Sequence, residues 1–399
     1  MQGGSTSELR RRNRDMVLRE IASETSVSRS QIARSTGLTG AAVSRITREL
    51  IDAGLVREGR RLESKGQAGR RNVCLELGDQ GAYVLAIALT ANVKSVSISD
   101  SRGEIVAQKE LPGLDKAKPG KVIDALCHAA AQLIEHSGIG RTRLVGCGVS
   151  VAGVTDPGTG SLIASDPLGW DAVPLGEMFS QKLDLPVRVE RRPVALVTAE
   201  MWRGAAKGLR NVILINNGLW IGGCVVADGK VLTGTDNQIG QLAHMAAPGR
   251  NQMCVCGRRG CLDTAASGGS VVKAMGNVAV PGASQNEEPG ARLRSLARHD
   301  GDDLPEVTEA FREAGRCMGH AVDHLFAFFY PELILLAGET SRNPHFLDGV
   351  LDTLAELRPA EDSWPVQVSS ITTDKSAVWI GLDAFVFSRT LDIEKLMAA

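Results

Sequence analysis

Apolar and polar residues recur at helical spacing through the first 54 positions of the chain. This spacing predicts three amphipathic helices, around residues 17–21, over residues 28–36 and from residue 39 to about residue 53. Ser28 and Thr39 are the expected N-caps of the second and third helices, and Gly37 is expected to end the second. Two helices joined by the three-residue turn 36–38 have the proportions of a helix-turn-helix.

The third predicted helix has one apolar and one polar face. Its expected buried stripe is Val43, Ile46, Leu50 and Ile51. Its opposite face, predicted to contact DNA, comprises Thr39, Ala41, Ala42, Ser44, Arg45 and Arg48. Small residues near the start of such a helix allow close approach to base edges, and arginine reaches guanine or phosphate.

Two short β segments follow, at residues 55–57 and 73–77, with a polar loop between them. We interpret them as the wing of a winged helix-turn-helix, in which Arg70 and Arg71 are predicted to enter a narrow minor groove. The alternative for the module is a helical protein-interaction domain with a solvated basic face. Arg45 alone is open to a second interpretation, as a phosphate anchor that carries no sequence information.

From residue 82 the pattern changes to apolar runs that alternate with helical stretches. Strands are predicted at 83–88, 93–99, 144–149, 187–189, 212–215, 222–226 and 333–336, and helices at 121–136, 195–203 and 307–328. Such interleaving indicates an α/β fold. The polar run 282–303 is predicted to be a surface excursion. Two domains are therefore expected, at residues 1–78 and 79–399.

Charge separates the two expected domains although the whole chain is nearly neutral. The net charge is −1, yet residues 1–78 hold 15 Lys and Arg against 9 Asp and Glu, which leaves 30 against 37 for the remainder. A basic module joined to an acidic one suggests nucleic-acid contact at the basic end. No apolar run approaches 18 residues and the start lacks a signal-peptide pattern, so we expect a cytoplasmic protein without membrane contact.

The segment 244–261 carries the most specific chemistry. It reads His-X9-Cys-X-Cys-Gly-X-X-Gly-Cys, with His244, Cys254, Cys256 and Cys261 as soft nitrogen and sulfur donors. Tetrahedral Zn²⁺ prefers such donors, and a site with four protein ligands is structural because no position is left for activated water. Reduced cysteines without metal, or a redox pair, are the alternatives, although redox pairs are usually Cys-X-X-Cys.

Several segments together resemble the ROK family of bacterial repressors and sugar kinases. They are the zinc loop, residues 240–244 (Gly-Gln-Leu-Ala-His), residues 261–268, the segment Leu168-Gly169-Trp170, residues 331–338 and 376–381, and the N-terminal winged helix. The resemblance covers essentially the whole chain. It implies a two-lobed, actin-like (hexokinase-like) ROK domain after the winged helix, and a homodimer or homotetramer.

Three kinase elements of that family are altered in this chain. The phosphate-gripping Asp-X-Gly-Gly-Thr turn corresponds to residues 88–92, Ala-Leu-Thr-Ala-Asn. The Asn-Asp pair that supplies the catalytic base corresponds to Arg191-Arg192, and arginine stays protonated. The second phosphate turn, Gly-Thr-Gly-X-Gly, corresponds to residues 218–222, where Leu219 and Trp220 would crowd a nucleotide. No catalytic residue is therefore expected.

The resemblance also assigns sugar contacts by position. They fall on Arg191, Arg192, Gln241, His244 and Asp263, of which only His244 keeps the family residue. One interpretation is a pocket adapted to an anionic effector such as a sugar phosphate or sugar acid, since arginine binds such groups in a bidentate manner. The other is a decayed site in which the arginines pair with Glu190 or Glu200.

These observations favour a DNA-binding transcriptional regulator, most simply a repressor, that holds a structural Zn²⁺ and catalyses no reaction. Its expected partners are a double-stranded operator and a sugar, sugar phosphate or related effector. One alternative is a sugar kinase that retains a DNA-binding arm. Another is a regulator whose signal is a protein partner, such as a transporter subunit.

Overall fold

The computed structural model describes residues 6–24, 26–61, 73–114, 117–237, 239–276, 278, 287–298, 304–361 and 363–398. The chain divides into two compact units. Unit 1 contains residues 1–190 together with 373–399, and unit 2 contains residues 191–372. No helix in the described part of the chain combines the length and the apolarity that crossing a bilayer requires.

Unit 1 begins with three helices and a small antiparallel sheet. The elements are α1 (Thr6–Ser23), β1 (Val27–Ser28), α2 (Arg29–Thr36), α3 (Gly40–Asp52), β2 (Val56–Arg61) and β3 (Val73–Leu77), and the strand order is β1-β3-β2. Ser28 and Gln31 form a reciprocal capping box at α2, and Gly37 lies in the left-handed region just after it. The predicted caps and helix end are confirmed.

The core of this module follows the predicted stripes with one exception. Val43, Ile46 and Leu50 are buried on α3, but Ile51 is only half-buried. Thr47 is fully buried instead, and its hydroxyl accepts a hydrogen bond from Nε of Arg29 at 3.0 Å. A threonine takes a core position here because a neighbouring helix satisfies its hydroxyl, a contact that apolar spacing does not reveal.

A five-stranded sheet forms the centre of the rest of unit 1. Its strands have the order β10-β7-β4-β5-β6, with β4 parallel to β7 and antiparallel to β5. The elements are β4 (Tyr83–Leu89), β5 (Lys94–Asp100), β6 (Ile105–Glu110), α4 (Pro119–Ser137), β7 (Leu144–Val151), β8 (Val154–Thr155), β9 (Leu162–Ala164), α5 (Leu175–Leu183) and β10 (Val187–Arg191).

Unit 2 contains a second five-stranded sheet, of order β13-β12-β11-β14-β15, in which β11 and β14 are parallel. The elements are α6 (Arg192–Arg203), β11 (Val212–Asn217), β12 (Ile221–Ala227), β13 (Lys230–Val231), α7 (Asp263–Ala266), α8 (Gly268–Met275), α9 (Pro289–Ala297), α10 (Pro305–Phe329), β14 (Leu333–Ala337), α11 (Pro344–Leu357) and β15 (Val366–Val368).

Helix α9 corrects the prediction of a surface excursion over residues 282–303. Leu293 and Leu296 have the i, i+3 spacing of a helical face, and both are buried in the core of unit 2. The polar and charged residues around this pair obscured it in the sequence. Residues 279–286 and 299–303 lie outside the described residues.

Helices α10 and α11 pack closely through glycines. A Cβ atom built on Gly315 would lie 2.1 Å from the carbonyl oxygen of Phe346, and one on Gly349 would lie 2.1 Å from that of Arg312. Both contacts are to backbone, which cannot rotate away. The two helices therefore touch at a distance that only glycine permits.

We expect Gly315→Ala to lower the unfolding free energy of unit 2 by about 1–3 kcal/mol, the usual cost of overpacking. Chemical denaturation followed by circular dichroism measures it. Gly120→Ala is the matched control, since a Cβ there meets nothing within 4 Å. Equal stability of the two variants would show that the helices do not pack as described.

The last part of the chain returns to unit 1. Helix α12 (Thr373–Gly381) packs on β4 and β7, continues into a π-helical turn at Leu382–Val386, and is followed by α13 (Ile393–Met397). Asp383 of this turn pairs with Arg19 of α1 at 3.0 Å. The carbonyl of Leu391, just before α13, accepts a hydrogen bond from Arg14 at 2.7 Å. The C-terminal segment thus ties the first helix to the sheet of unit 1.

Candidate nucleic-acid interface and metal centre

The exposed face of α3 carries all but one of the residues that the sequence predicts there. The hydroxyl of Thr39 accepts the backbone N–H of Ala42 at 3.2 Å and so begins the helix. Ala42 is half-buried, whereas the other members of the predicted face are exposed, namely Thr39, Ala41, Ser44, Arg45 and Arg48. Their contact with DNA stays a prediction.

Arg45 and Arg48 of this face differ from two arginines nearby. Arg10 pairs with Glu49 at 2.7 Å and Arg29 with Glu58 at 3.0 Å. Within the described residues no carboxylate pairs with Arg45 or Arg48, so both guanidinium groups face solvent with their charge uncompensated. Uncompensated arginines on an exposed helix are suited to phosphate and to base edges. Arg70 and Arg71 lie outside the described residues.

Unit 2 brings four soft donor groups to one point. The ligand atoms of His244, Cys254, Cys256 and Cys261 all lie within 4.8 Å of one another. Nδ1 of His244 is 3.7 Å from Sγ of Cys254, and Sγ of Cys256 is 3.7 Å from Sγ of Cys261. A tetrahedron with metal–sulfur bonds of about 2.3 Å has edges of about 3.8 Å. The cluster could therefore hold a metal ion.

The loop around this cluster is shaped by backbone contacts. Gly260 has a φ of 68°, and a Cβ there would lie 2.5 Å from the carbonyl oxygen of Arg250. Its N–H donates to the carbonyl of Gln252 at 2.9 Å, and a β-bridge pairs Cys261 with Ala246. Only glycine fits this turn, which directs the last cysteine back toward the first two.

The thiols of Cys256 and Cys261 have pKa values that are shifted in opposite directions. Hydrogen bonds from the backbone and side chain of Arg258 lower the pKa of Cys256 to about 7. Burial raises the pKa of Cys261 to about 12. A thiolate is the form that ligates, so binding of a divalent cation would release a proton from the buried thiol.

The predicted effector residues all lie in unit 2, but the two arginines are used differently. Arg191 donates from Nη1 to the carbonyl of Gly223 and from Nη2 to that of Ile239, both at 2.6 Å. These two hydrogen bonds connect β12 to the segment that precedes the cysteine loop. Nη1 of Arg192 instead lies 4.0 Å from the position of a Cβ on Gly218, beside the turn between β11 and β12.

Asp263 and His244 connect that turn to the cysteine loop. Oδ1 of Asp263 accepts the backbone N–H of Ile221 at 2.8 Å. His244 ends a short 3-10 helix that starts at Leu242, directly after Gln241. Desolvation raises the pKa of Asp263, while the Ile221 hydrogen bond and the neighbouring His244 oppose the rise. The turn at 218–221 therefore lies between Arg192 on one side and Asp263 on the other.

Residues 88–92, which correspond to the first phosphate-binding turn of the family kinases, belong to the hairpin between β4 and β5. Ala88 and Leu89 complete β4, and the N–H of Thr90 donates to the carbonyl of Val93 at 2.8 Å. The N–H of Val93 donates in turn to the hydroxyl of Thr90 at 3.0 Å. A phosphate-binding turn presents N–H groups to its ligand, whereas here the N–H groups of Thr90 and Val93 are used within the hairpin.

Some residues of interest gave no signal in the sequence. Arg14 and Arg19 read as part of a basic run, yet the structure places them against a segment some 370 positions later. Glu339 and Arg342 form an ion pair at 3.5 Å just beyond β14, and both act electrostatically on Arg192. Only the match of residues 331–338 to a family segment could have drawn attention to that region.

Comparison with known proteins agrees with these features. The model of the ROK family matches residues 84–382, and that of a winged helix-turn-helix DNA-binding domain matches residues 10–57. The xylose repressor of Caldicellulosiruptor bescii is 24% identical over 400 residues, which cover 97% of this chain and 98% of the repressor.

Two solved structures share the fold. A ROK family transcriptional regulator described as a homolog of the Escherichia coli MLC protein has a TM-score of 0.75 at 21% identity, covering 98% of this chain and 100% of its own. A ROK family glucokinase from Streptomyces griseus, in complex with glucose and AMPPNP, has a TM-score of 0.65 at 22% identity. The match covers 75% of this chain and 98% of the glucokinase. The predicted fold class is confirmed, and the chain belongs to the ROK family.

Proposed function

We propose that this ROK protein is a DNA-binding transcriptional repressor controlled by a sugar or sugar-derived effector. The observation that carries the proposal is the exposed face of α3, where Arg45 and Arg48 present uncompensated charge next to small residues. Such a face suits insertion of the helix into the major groove. A cytoplasmic location follows from this role, since the operator is chromosomal.

The repressor would act as a homodimer or homotetramer. Two winged helices related by a twofold axis would occupy the half-sites of a pseudo-palindromic operator. Binding of an effector to unit 2 would change the fit of the pair to the DNA. The predicted effector contacts are Arg191, Arg192, Gln241, His244 and Asp263, and a protein partner in place of a small molecule is the alternative signal.

The cysteine cluster would hold a structural Zn²⁺. Its donors, one imidazole and three thiolates, are the set that zinc prefers, and four protein ligands complete a tetrahedron. Bound zinc would stabilise the loop 244–261 and hold the imidazole of His244 in one orientation toward the effector pocket. It would leave no open coordination position for hydrolysis.

Mobility-shift titration tests the repressor proposal. The full-length protein should retard the promoter regions of its own and neighbouring genes at moderate salt, because a specific interface outlasts the counterion screening that removes non-specific binding. A thermal-shift screen of sugars and sugar phosphates then separates a small-molecule effector from a protein signal, because a true effector raises the melting temperature.

We expect no phosphoryl transfer from ATP to any sugar. The residue at the position of the catalytic base, Arg192, cannot accept a proton. Residues 88–92 lack the Asp and the glycines of the phosphate turn, and the N–H groups of Thr90 and Val93 bond within the hairpin. A coupled assay for ADP with hexoses and N-acyl sugars measures this. Turnover that Arg192→Ala abolishes would replace the repressor proposal with a kinase that has a DNA-binding arm.

A further inference from the structure

Arg192 is a cation that the protein itself leaves without a partner. It is the first residue of α6 and is half-buried, and its Nε is fully enclosed yet makes no hydrogen bond. No ion pair or hydrogen bond of its guanidinium is formed with any residue that the structure describes. Arg191, one position earlier, donates to two carbonyl groups. The adjacent arginines thus differ in whether the fold satisfies their terminal Nη groups.

Leaving such a group unsatisfied is costly. Burial lowers the pKa of Arg192 to about 10, with the neighbouring Glu339 opposing that change. The guanidinium is still protonated at neutral pH, so the charge is present and partly desolvated. Glu339 is itself paired with Arg342 at 3.5 Å, which leaves one net positive charge among the three groups. An enclosed charge without a partner destabilises a fold unless a ligand compensates it.

Other unsatisfied polar atoms lie in the segments that surround Arg192. Oδ1 of Asn216, Oδ1 of Asn217 and Oγ of Ser341 are buried without a hydrogen-bond partner among the described residues. Asn216 and Asn217 end β11, and Ser341 lies just past β14 in the short helix Thr340–Arg342. Because successive side chains of a strand point to opposite faces, at most one of the two asparagines lies on the same side of the sheet as Arg192. An unsatisfied polar atom in each of these two segments still indicates a place open to polar contacts.

Three chain segments converge on this place. The carbonyl of Gly218 accepts the hydroxyl of Thr340 at 3.2 Å and the N–H of Gly268 at 2.8 Å. Gly218 follows β11 directly and lies beside Nη1 of Arg192. Because β11 and β14 are parallel, their carboxyl ends meet at the same edge of the sheet, and ligands of open α/β sheets bind at that edge.

We propose that Arg192 binds the phosphate group of a small phosphate-bearing molecule at the carboxyl ends of β11 and β14. The planar guanidinium donates two parallel hydrogen bonds to a phosphate, which matches a charge that lacks a protein partner. This site deepens the proposed function, on which it rests, by assigning the effector to phosphorylated compounds. The bulky residues Leu219 and Trp220, where nucleotide-binding members of the family have small ones, favour a sugar phosphate over a nucleotide.

Titration of the full-length protein with four probes tests the site. Glucose 6-phosphate, ADP, inorganic phosphate and glucose are compared by calorimetry and thermal shift. At least one phosphate-bearing probe should bind more tightly than glucose, and the order of glucose 6-phosphate and ADP distinguishes a sugar phosphate from a nucleotide. If no phosphate-bearing probe binds better than glucose, the proposal is overturned.

The variants separate a ligand contact from a structural role. Arg192→Gln should lower the affinity for the phosphate-bearing probe at least 10-fold, and Arg192→Lys should lower it less. Arg210→Gln, which removes an arginine at the amino end of β11, should leave this affinity unchanged. Arg192→Gln should also raise the melting temperature of the ligand-free protein, because an unpaired charge is removed. A lower melting temperature or unchanged probe affinity would contradict the proposal.

The same variant keeps this inference distinct from the repressor proposal. Ligand-free Arg192→Gln protein should bind promoter DNA as tightly as the wild type, since Arg192 belongs to unit 2. Loss of probe binding with intact DNA binding supports the site. If wild-type protein binds the probe but retards no promoter, the phosphate site stands and the repressor proposal fails.

Discussion

Replacing Arg45 and Arg48 together by alanine is expected to weaken operator binding about 30-fold or more. Both side chains are exposed on α3 without carboxylate partners among the described residues, so their charge is available to DNA. A guanidinium that bonds a base edge contributes roughly 1–3 kcal/mol of binding free energy. Removing an arginine that contacts a phosphate reduces the slope of log affinity against log salt concentration by about 1. Fluorescence anisotropy at several salt concentrations measures both quantities.

The control for this effect is a variant that removes equal charge elsewhere. Arg210 and Arg316 lie in unit 2 and pair with Asp228 and with Glu309. The affinity of the double variant Arg210→Ala, Arg316→Ala for the operator should be within about twofold of the wild-type affinity. Salt at physiological concentration screens the electrostatic effect of charges that do not contact the DNA. An equal weakening in both double variants would mean that net charge, and not α3, accounts for the binding.

Replacing Cys256 by serine is expected to remove the metal and soften unit 2. The side chain is exposed, and exposed substitutions usually change stability by no more than about 0.5 kcal/mol. A structural zinc site contributes several kcal/mol of folding free energy, and 1 kcal/mol corresponds to about 2–4 °C for a unit of this size. The melting temperature should therefore fall by roughly 10 °C, and metal analysis should fall from one zinc per chain to none.

Cys127→Ser is the matched control for the metal site. Cys127 is half-buried in α4 of unit 1 and lies outside the cluster. This variant should retain zinc and melt near the wild-type temperature. If Cys256→Ser keeps both its metal and its melting temperature, the four residues do not form a zinc site.

Local chemistry explains why the N-terminal module could be predicted from sequence. The helix caps Ser28 and Thr39 bond backbone groups only three positions away, and Gly37 ends α2 by its own left-handed conformation. The sequence signal for each therefore lies in the adjacent residues. The cysteine loop is similar, because the donor spacing is contained in 18 residues. Apolar runs predicted most of the longer strands, and the family resemblance predicted the two-lobed ROK domain.

Long-range contacts explain what could not be predicted. Arg191 and Arg192 have the same sequence signal, yet one reaches the carbonyls of Gly223 and Ile239 and the other reaches none. The difference depends on where β12 and the following loop pass in three dimensions. The ties of Arg14 and Arg19 to the C-terminal segment depend likewise on residues distant in the chain.

The most direct test of the account is selection of genomic DNA fragments by the purified full-length protein. We predict enrichment of a few promoter fragments that share an inverted repeat, release of those fragments by the effector, and no enrichment by the Arg45→Ala, Arg48→Ala variant. Enrichment of nothing beyond what that variant recovers, together with ADP formation from ATP in the presence of a sugar, would contradict it.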